Sequence, residues 1–181
     1  PKKVRVTSKI GWQGTAFVLP DETLGKSDEV FLFKSDNYTS KFNVKGSLED
    51  WKLHIAKRIL GNSVPEFCIA CAFAAPLLTP CGLDGGGFHL LGDSSSGKTT
   101  SLCLAASVCG GGDHGYIQSW RSTDNAVEGI ALNHNDCLLC LDEINLATCK
   151  TVNESAYMLA NGQGKARADR YGNTKSRKEW K

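Results

Sequence analysis

Two apolar runs flank a polar octet near the middle of the chain, and their spacing differs. Gly87-Phe88-His89-Leu90-Leu91 is short and predicts a strand, whereas the segment from Thr99 to Val108 has the length and apolar spacing of a buried helix. A third run, Cys137-Leu138-Leu139-Cys140-Leu141, ends in Asp142-Glu143 and predicts a strand buried on both faces of a parallel sheet. Between them, Tyr116-Ile117-Gln118-Ser119-Trp120 predicts one more strand. The stretch Ala126 to Leu132 predicts one more helix, with N-cap candidates from Ser122 to Asn125. Strands that alternate with helices imply an α/β fold, a parallel sheet with helices on both faces.

The N-terminal third has another rhythm. Gly11 to Pro20 and Val30-Phe31-Leu32-Phe33 are strand-like, joined by a turn-rich connector from Asp21 to Ser27. Ser47-Leu48-Glu49-Asp50 carries an S-x-x-D capping pattern, and Leu48, Trp51, Ile55, Ala56, Ile59 and Leu60 recur at helical spacing until Gly61-Asn62. A second helix is expected over 65–78. The pattern divides the chain into a β-rich unit over 1–46, a helical connector over 47–84 and an α/β core over 85–181. Trp12 and Phe17 read as core packing of the small sheet, with a stacking platform for bases as the alternative. Pro1-Lys2-Lys3-Val4-Arg5 reads as a solvated strand or terminal arm.

The octet carries the chemistry. Gly92-Asp93-Ser94-Ser95-Ser96-Gly97-Lys98-Thr99 is a complete phosphate-binding loop pattern, here in strand, loop, helix order and followed by Thr100. Its glycines let successive amides turn inward on a polyphosphate, and the helix N-terminus adds partial positive charge. Lys98 is expected on the β- and γ-phosphates of ATP and Thr99 on Mg2+. Asp142 is expected to hold the same magnesium, and Glu143 to polarise the attacking water. An acid pair side by side suits hydrolysis better than transfer to an alcohol, so an ATPase is favoured over a kinase. One strand lies between the two motifs in sequence, which is the order of the RecA and AAA+ branch of P-loop hydrolases. Ser119 or Thr123, at the end of that strand, stands where it could orient Glu143 or cap the next helix.

Charge adds a second feature. From Lys165 to Lys181 seven Lys or Arg stand against Asp169 and Glu179, a local +5 in a chain whose total is +2. Lys165, Arg167, Arg170, Lys175, Arg177 and Lys178 alternate around Tyr171-Gly172-Asn173 and suggest a basic β-hairpin that contacts DNA; a solvated basic loop is the alternative. The longest uncharged stretch, from Phe67 to Leu83, is broken by Pro76, Pro80 and Gly82 and is too short to cross a membrane. Eight cysteines form two C-x-x-C pairs, Cys68/Cys71 and Cys137/Cys140. Residues three apart on a strand face opposite ways, so structural zinc is disfavoured, and free buried thiols point to a reducing cytoplasm.

Taken together, Gly85 to Thr100, Ser119-Trp120-Arg121-Ser122-Thr123, Leu141-Asp142-Glu143-Ile144 and Tyr157 to Arg167 resemble the P-loop, AAA+-like ATPase domains in replication proteins of plasmids, prophages and cassette-type mobile elements. The resemblance implies a helicase-like ATP-hydrolysing motor and a homo-oligomer, with a hexameric ring the form known among distant relatives. By the same resemblance Lys98, Thr99, Asp142 and Glu143 form the hydrolytic site. It further implies that the core is truncated near Trp180-Lys181, before the remaining strands and lid. A regulatory or scaffolding ATPase that does not translocate on DNA is the alternative function.

Overall fold

The computed structural model describes residues 3–35, 38, 40–112, 115–168, 170, 173–174 and 176–181. The protein is mixed α/β, with small sheets. Strand β1 (Lys3–Thr7) pairs in parallel with β5 (Glu29–Phe33), while β2 (Gly11–Gln13), β3 (Ala16–Val18) and β4 (Thr23–Gly25) form an antiparallel meander. The strand-like reading of Gly11 to Pro20 thus resolves into a hairpin. Gly14 adopts a left-handed φ of 64° between Gln13 and Ala16, and that turn reverses the chain. Asp21 to Ser27 is likewise more than a connector, since it contains β4. Phe17 packs edge-on against Trp12 with ring centroids 5.2 Å apart, and Ala16, Phe17 and Val18 are buried. Both aromatics are engaged in packing the sheet.

The S-x-x-D pattern caps a helix as expected: the Ser47 hydroxyl accepts from the Asp50 amide at 3.1 Å and donates to the Asp50 carboxylate at 2.7 Å. That helix runs as α1 (Leu48–Trp51), a wider π turn (Lys52–Ala56) and α2 (Lys57–Ile59), and ends before Gly61. Next come α3 (Ser63–Ala74) and, beyond the phosphate-binding loop, α4 (Lys98–Ala106). These two pack closely because the contact is made by small side chains. Cys68 and Ala72 of α3 meet Ala105 and Ala106 of α4 in a core completed by Tyr116 and Cys140.

The C-terminal half departs most from expectation. Strand β6 (Gln118–Ser119) pairs in parallel with β7 (Leu141–Asp142), yet this two-residue ladder is all of the expected parallel sheet that forms among the described residues. Residues 87–91, expected as a strand, make no ladder among the described residues. Leu90 packs against the core, but Phe88 and Leu91 are 74% and 90% exposed. Three successive glycines, Gly85 to Gly87, weaken any strand there, and among the described residues β7 pairs with β6 alone. Helix α5 (Asp124–Leu132) starts at Thr123, whose hydroxyl caps the Ala126 amide, and α6 (Cys149–Ala160) packs on it through Val127, Ala131 and Met158. No helix among the described residues is long and apolar enough to cross a membrane.

The basic C-terminal run folds back on itself. Ala168 bridges Thr174 and Gln163 bridges Glu179 in antiparallel sense. Between and beyond these, the Gly164 amide donates to the Lys178 carbonyl and the Trp180 amide to that of Gly162. All four pairs share one register, so the segment is a hairpin without a slip. Its expected turn at 171–172 and Lys175 lie outside the described residues.

A buried polar knot ties the N-terminal meander to this half. The Asp136 carboxylate accepts from the Trp12 amide at 3.0 Å, from Asn135 Nδ2 at 2.6 Å and from the Thr79 hydroxyl, while Asn135 Nδ2 also donates to the Ile10 carbonyl at 2.8 Å. Gly11 must be glycine here: its φ is 90°, and a Cβ would lie 2.3 Å from the Asp136 carboxylate.

Candidate functional site

The glycine-bounded loop that opens at Gly92 reaches Gly97, which enters the left-handed region (φ 82°, ψ 12°) and turns the chain into α4. No side chain caps that helix, so its first-turn amides lack a side-chain acceptor and face the loop. Gly92 is also needed, because a Cβ there would sit 2.9 Å from the Ser96 hydroxyl. Lys98 Nζ donates to the carbonyls of Gly92 at 2.7 Å and Asp93 at 2.5 Å and to the Ser96 hydroxyl at 3.2 Å. The ammonium therefore lies inside the curl of Asp93, Ser94, Ser95 and Ser96, held by groups that an anion can replace. Together with the uncapped amides of Lys98, Thr99 and Thr100, this donor set fits a polyphosphate.

The parallel pair β6–β7 brings the second motif to the first. Thr99 Oγ1 donates to Asp142 Oδ2 at 2.8 Å, a contact between residues 43 apart in sequence. A hydroxyl and a carboxylate at this separation offer two hard oxygen donors to one small cation, the chemistry Mg2+ requires. Glu143 follows in a left-handed conformation, φ 62° and ψ 44°, with its amide donating to Asp142 Oδ1 at 2.8 Å. The register Ser119↔Asp142 places the Ser119 hydroxyl beside it, and that hydroxyl donates to Glu143 Oε2 at 3.2 Å. Of the two hydroxyls singled out from sequence, Ser119 touches the acid and Thr123 caps α5.

A left-handed glutamate costs about 1–2 kcal/mol relative to the right-handed backbone. Strain of this kind persists where the surrounding structure holds a side chain in place. Glu143→Gly should therefore raise unfolding stability by about 0.5–1 kcal/mol, the relieved strain less the extra chain entropy of glycine. Urea unfolding of the two proteins checks this. A glycine variant less stable than the parent would show that the backbone is not strained at Glu143.

The candidate DNA contacts divide on inspection. Arg170, Arg177 and Lys178 are exposed, with Arg177 Nη1 also donating to Gln163 at 3.4 Å. Arg167 is exposed too but is tied down: its Nη2 donates to Glu128 Oε2 at 2.6 Å and to Asn125 Oδ1 at 2.7 Å. The Lys165 amide donates to the other Glu128 oxygen at 2.9 Å. Glu128 itself, 1% exposed on α5, is absent from the sequence reading. Its signal was an acid set among the apolar residues of the run from Ala126 to Leu132.

The eight cysteines are free thiols. Burial pushes Cys140 up to about 12, and it raises Cys137, Cys109, Cys68 and Cys71 as well. These groups are protonated at neutral pH and behave as compact apolar side chains. Cys68 and Cys140 sit in the α3–α4 core.

The chain matches the family DUF927, described as a domain of unknown function, over residues 1–179. No curated protein matches it.

Proposed function

We propose that this chain, which belongs to the DUF927 family, binds ATP with magnesium and hydrolyses it as the motor of a DNA helicase for mobile-element replication. The observation that carries the reading is the Thr99–Asp142 hydrogen bond, because it joins the two halves of a nucleotide site that the sequence separates. In this reading the amides of the loop and of the first turn of α4 hold the phosphates, and Lys98 exchanges its carbonyl partners for the β- and γ-oxygens. Magnesium, held by Thr99 and Asp142, supplies positive charge against the β- and γ-phosphates. Glu143 orients a water whose oxygen bonds the γ-phosphorus as the bridge to the β-phosphate breaks; the water proton passes to the carboxylate. Ser119 restrains that carboxylate through its hydrogen bond.

The hairpin supports the DNA part of the reading. Arg170, Arg177 and Lys178 project from a folded-back ribbon where a motor would meet phosphates rather than base edges. Assembly into a homo-oligomeric ring belongs to the same proposal, since a single hairpin offers few phosphate contacts.

Lys98→Ala should weaken ATP binding by about tenfold or more, the scale of losing a charge-assisted hydrogen bond, with the fold intact. Calorimetric titration with ATP and magnesium reads the affinity, and ATP hydrolysis with and without single-stranded DNA reads the motor. Equal affinity in variant and parent overturns the phosphate site. Hydrolysis indifferent to DNA replaces the motor with a regulatory or scaffolding ATPase.

A further inference from the structure

We propose that Glu128 is a positioning residue that fixes the base of the basic hairpin, and that Arg167 is its anchor rather than a phosphate contact. The DNA consequence rests on the functional reading above; the anchoring does not. Glu128 is a buried carboxylate on α5, and such a charge is retained only where its oxygens are satisfied. Both are satisfied by the first arm of the hairpin. Oε1 accepts from the Lys165 amide at 2.9 Å, and Oε2 accepts from Arg167 Nη2 at 2.6 Å.

The surrounding contacts make the junction specific. Gly164 passes so close that a Cβ would meet the Glu128 carboxyl carbon at 3.2 Å, so the backbone lies directly over the acid. Asn125, one turn earlier on α5, takes the same guanidinium nitrogen at 2.7 Å. The second arm reaches the same helix by other means: Trp180 is buried with Val127 and Ala131, which flank Glu128, and its indole donates to the Leu159 carbonyl. One helix thus holds both arms. Arg167 cannot leave for a phosphate without stranding a buried negative charge, whereas Arg170, Arg177 and Lys178 carry no such obligation to Glu128.

Sign separates the two roles of Arg167. Deleting the negative charge of Glu128 should strengthen DNA binding if only electrostatics matter, and should weaken it if the acid positions the hairpin. The whole chain, its Glu128→Gln and Arg167→Gln variants and the double variant should be compared by hydrogen exchange and by anisotropy with a labelled single-stranded oligonucleotide. Anchoring predicts exchange about tenfold faster over 163–168 and 176–180 in each single variant, no further gain in the double, and unchanged protection in α4. It also predicts DNA affinity about fivefold weaker in Glu128→Gln and no weaker still in the double variant.

Arg167→Gln alters a side chain that is 41% exposed, so it reports even if Glu128→Gln fails to fold. Unchanged exchange in the hairpin of Arg167→Gln overturns the anchor. So does tighter DNA binding by Glu128→Gln. A parent chain that ignores the oligonucleotide at every salt concentration overturns the DNA reading alone, and the exchange data then decide the anchor by themselves.

Discussion

Glu143→Gln is expected to keep ATP binding and lose turnover by about 10²-fold or more, the scale of a positioned general base. The amide preserves the size of the side chain and can still accept the Ser119 hydrogen bond, so the geometry at the end of β7 is retained. What it loses is the negative charge that orients the water and takes its proton. On the proposed reading, affinity for ATP would rest instead on Lys98, the loop amides and the Thr99–Asp142 pair, none of which the change touches. The whole chain carrying the variant should be assayed for phosphate release, with calorimetry as the control on binding. Normal turnover in that enzyme would move the base to another residue. Turnover and affinity lost together would assign Glu143 to nucleotide binding.

Asp136→Ala is expected to cost about 3 kcal/mol or more of unfolding stability. One carboxylate serves the Trp12 amide, the Asn135 amide group and the Thr79 hydroxyl, so its removal leaves the half-buried Trp12 amide and Thr79 hydroxyl unpaired at about 1–3 kcal/mol each, while Asn135 keeps the Ile10 carbonyl. Part of that penalty is recovered if water enters the space left. The loss is a matter of architecture, because these three partners come from the β2 strand, the turn after α3 and the loop before β7. A urea midpoint lowered with an unchanged slope is the expected signature. A stability within 0.5 kcal/mol of the parent would show that the knot does not bind the meander to the C-terminal half.

The residues that sequence made legible are those whose chemistry is local. A glycine-bounded loop before a helix needs no distant partner to curl its amides, so Gly92 to Thr99 could be read directly. The Ser47 cap and the breaker at Gly61 were legible for the same reason. The pairing of Ser119 with Glu143 was within reach, because parallel strands of known end points bring their C-terminal residues together. Strand extent was not. A ladder bond belongs to two segments at once, and the run ending in Leu91 has a strand's own pattern while no neighbour among the described residues pairs with it.

Basic residues show the same divide. Their count and alternation predicted a hairpin, and the common register from Gly162/Trp180 to Ala168/Thr174 agrees with one over the described residues. Whether a given arginine faces outward was a different question. Arg167 and Arg170 are alike in sequence context, yet only Arg167 lies within reach of the buried carboxylate of Glu128. By itself the sequence determined the loop, the acid pair, the helix caps and the sign of the C-terminal run, since each follows from neighbours a few positions apart. Only the tertiary structure decided that Thr99 meets Asp142, that Asp136 holds the meander and that Arg167 pairs with Glu128. Those contacts span between 39 and 124 positions, where the partner is selected by packing of the whole chain and no local pattern encodes it.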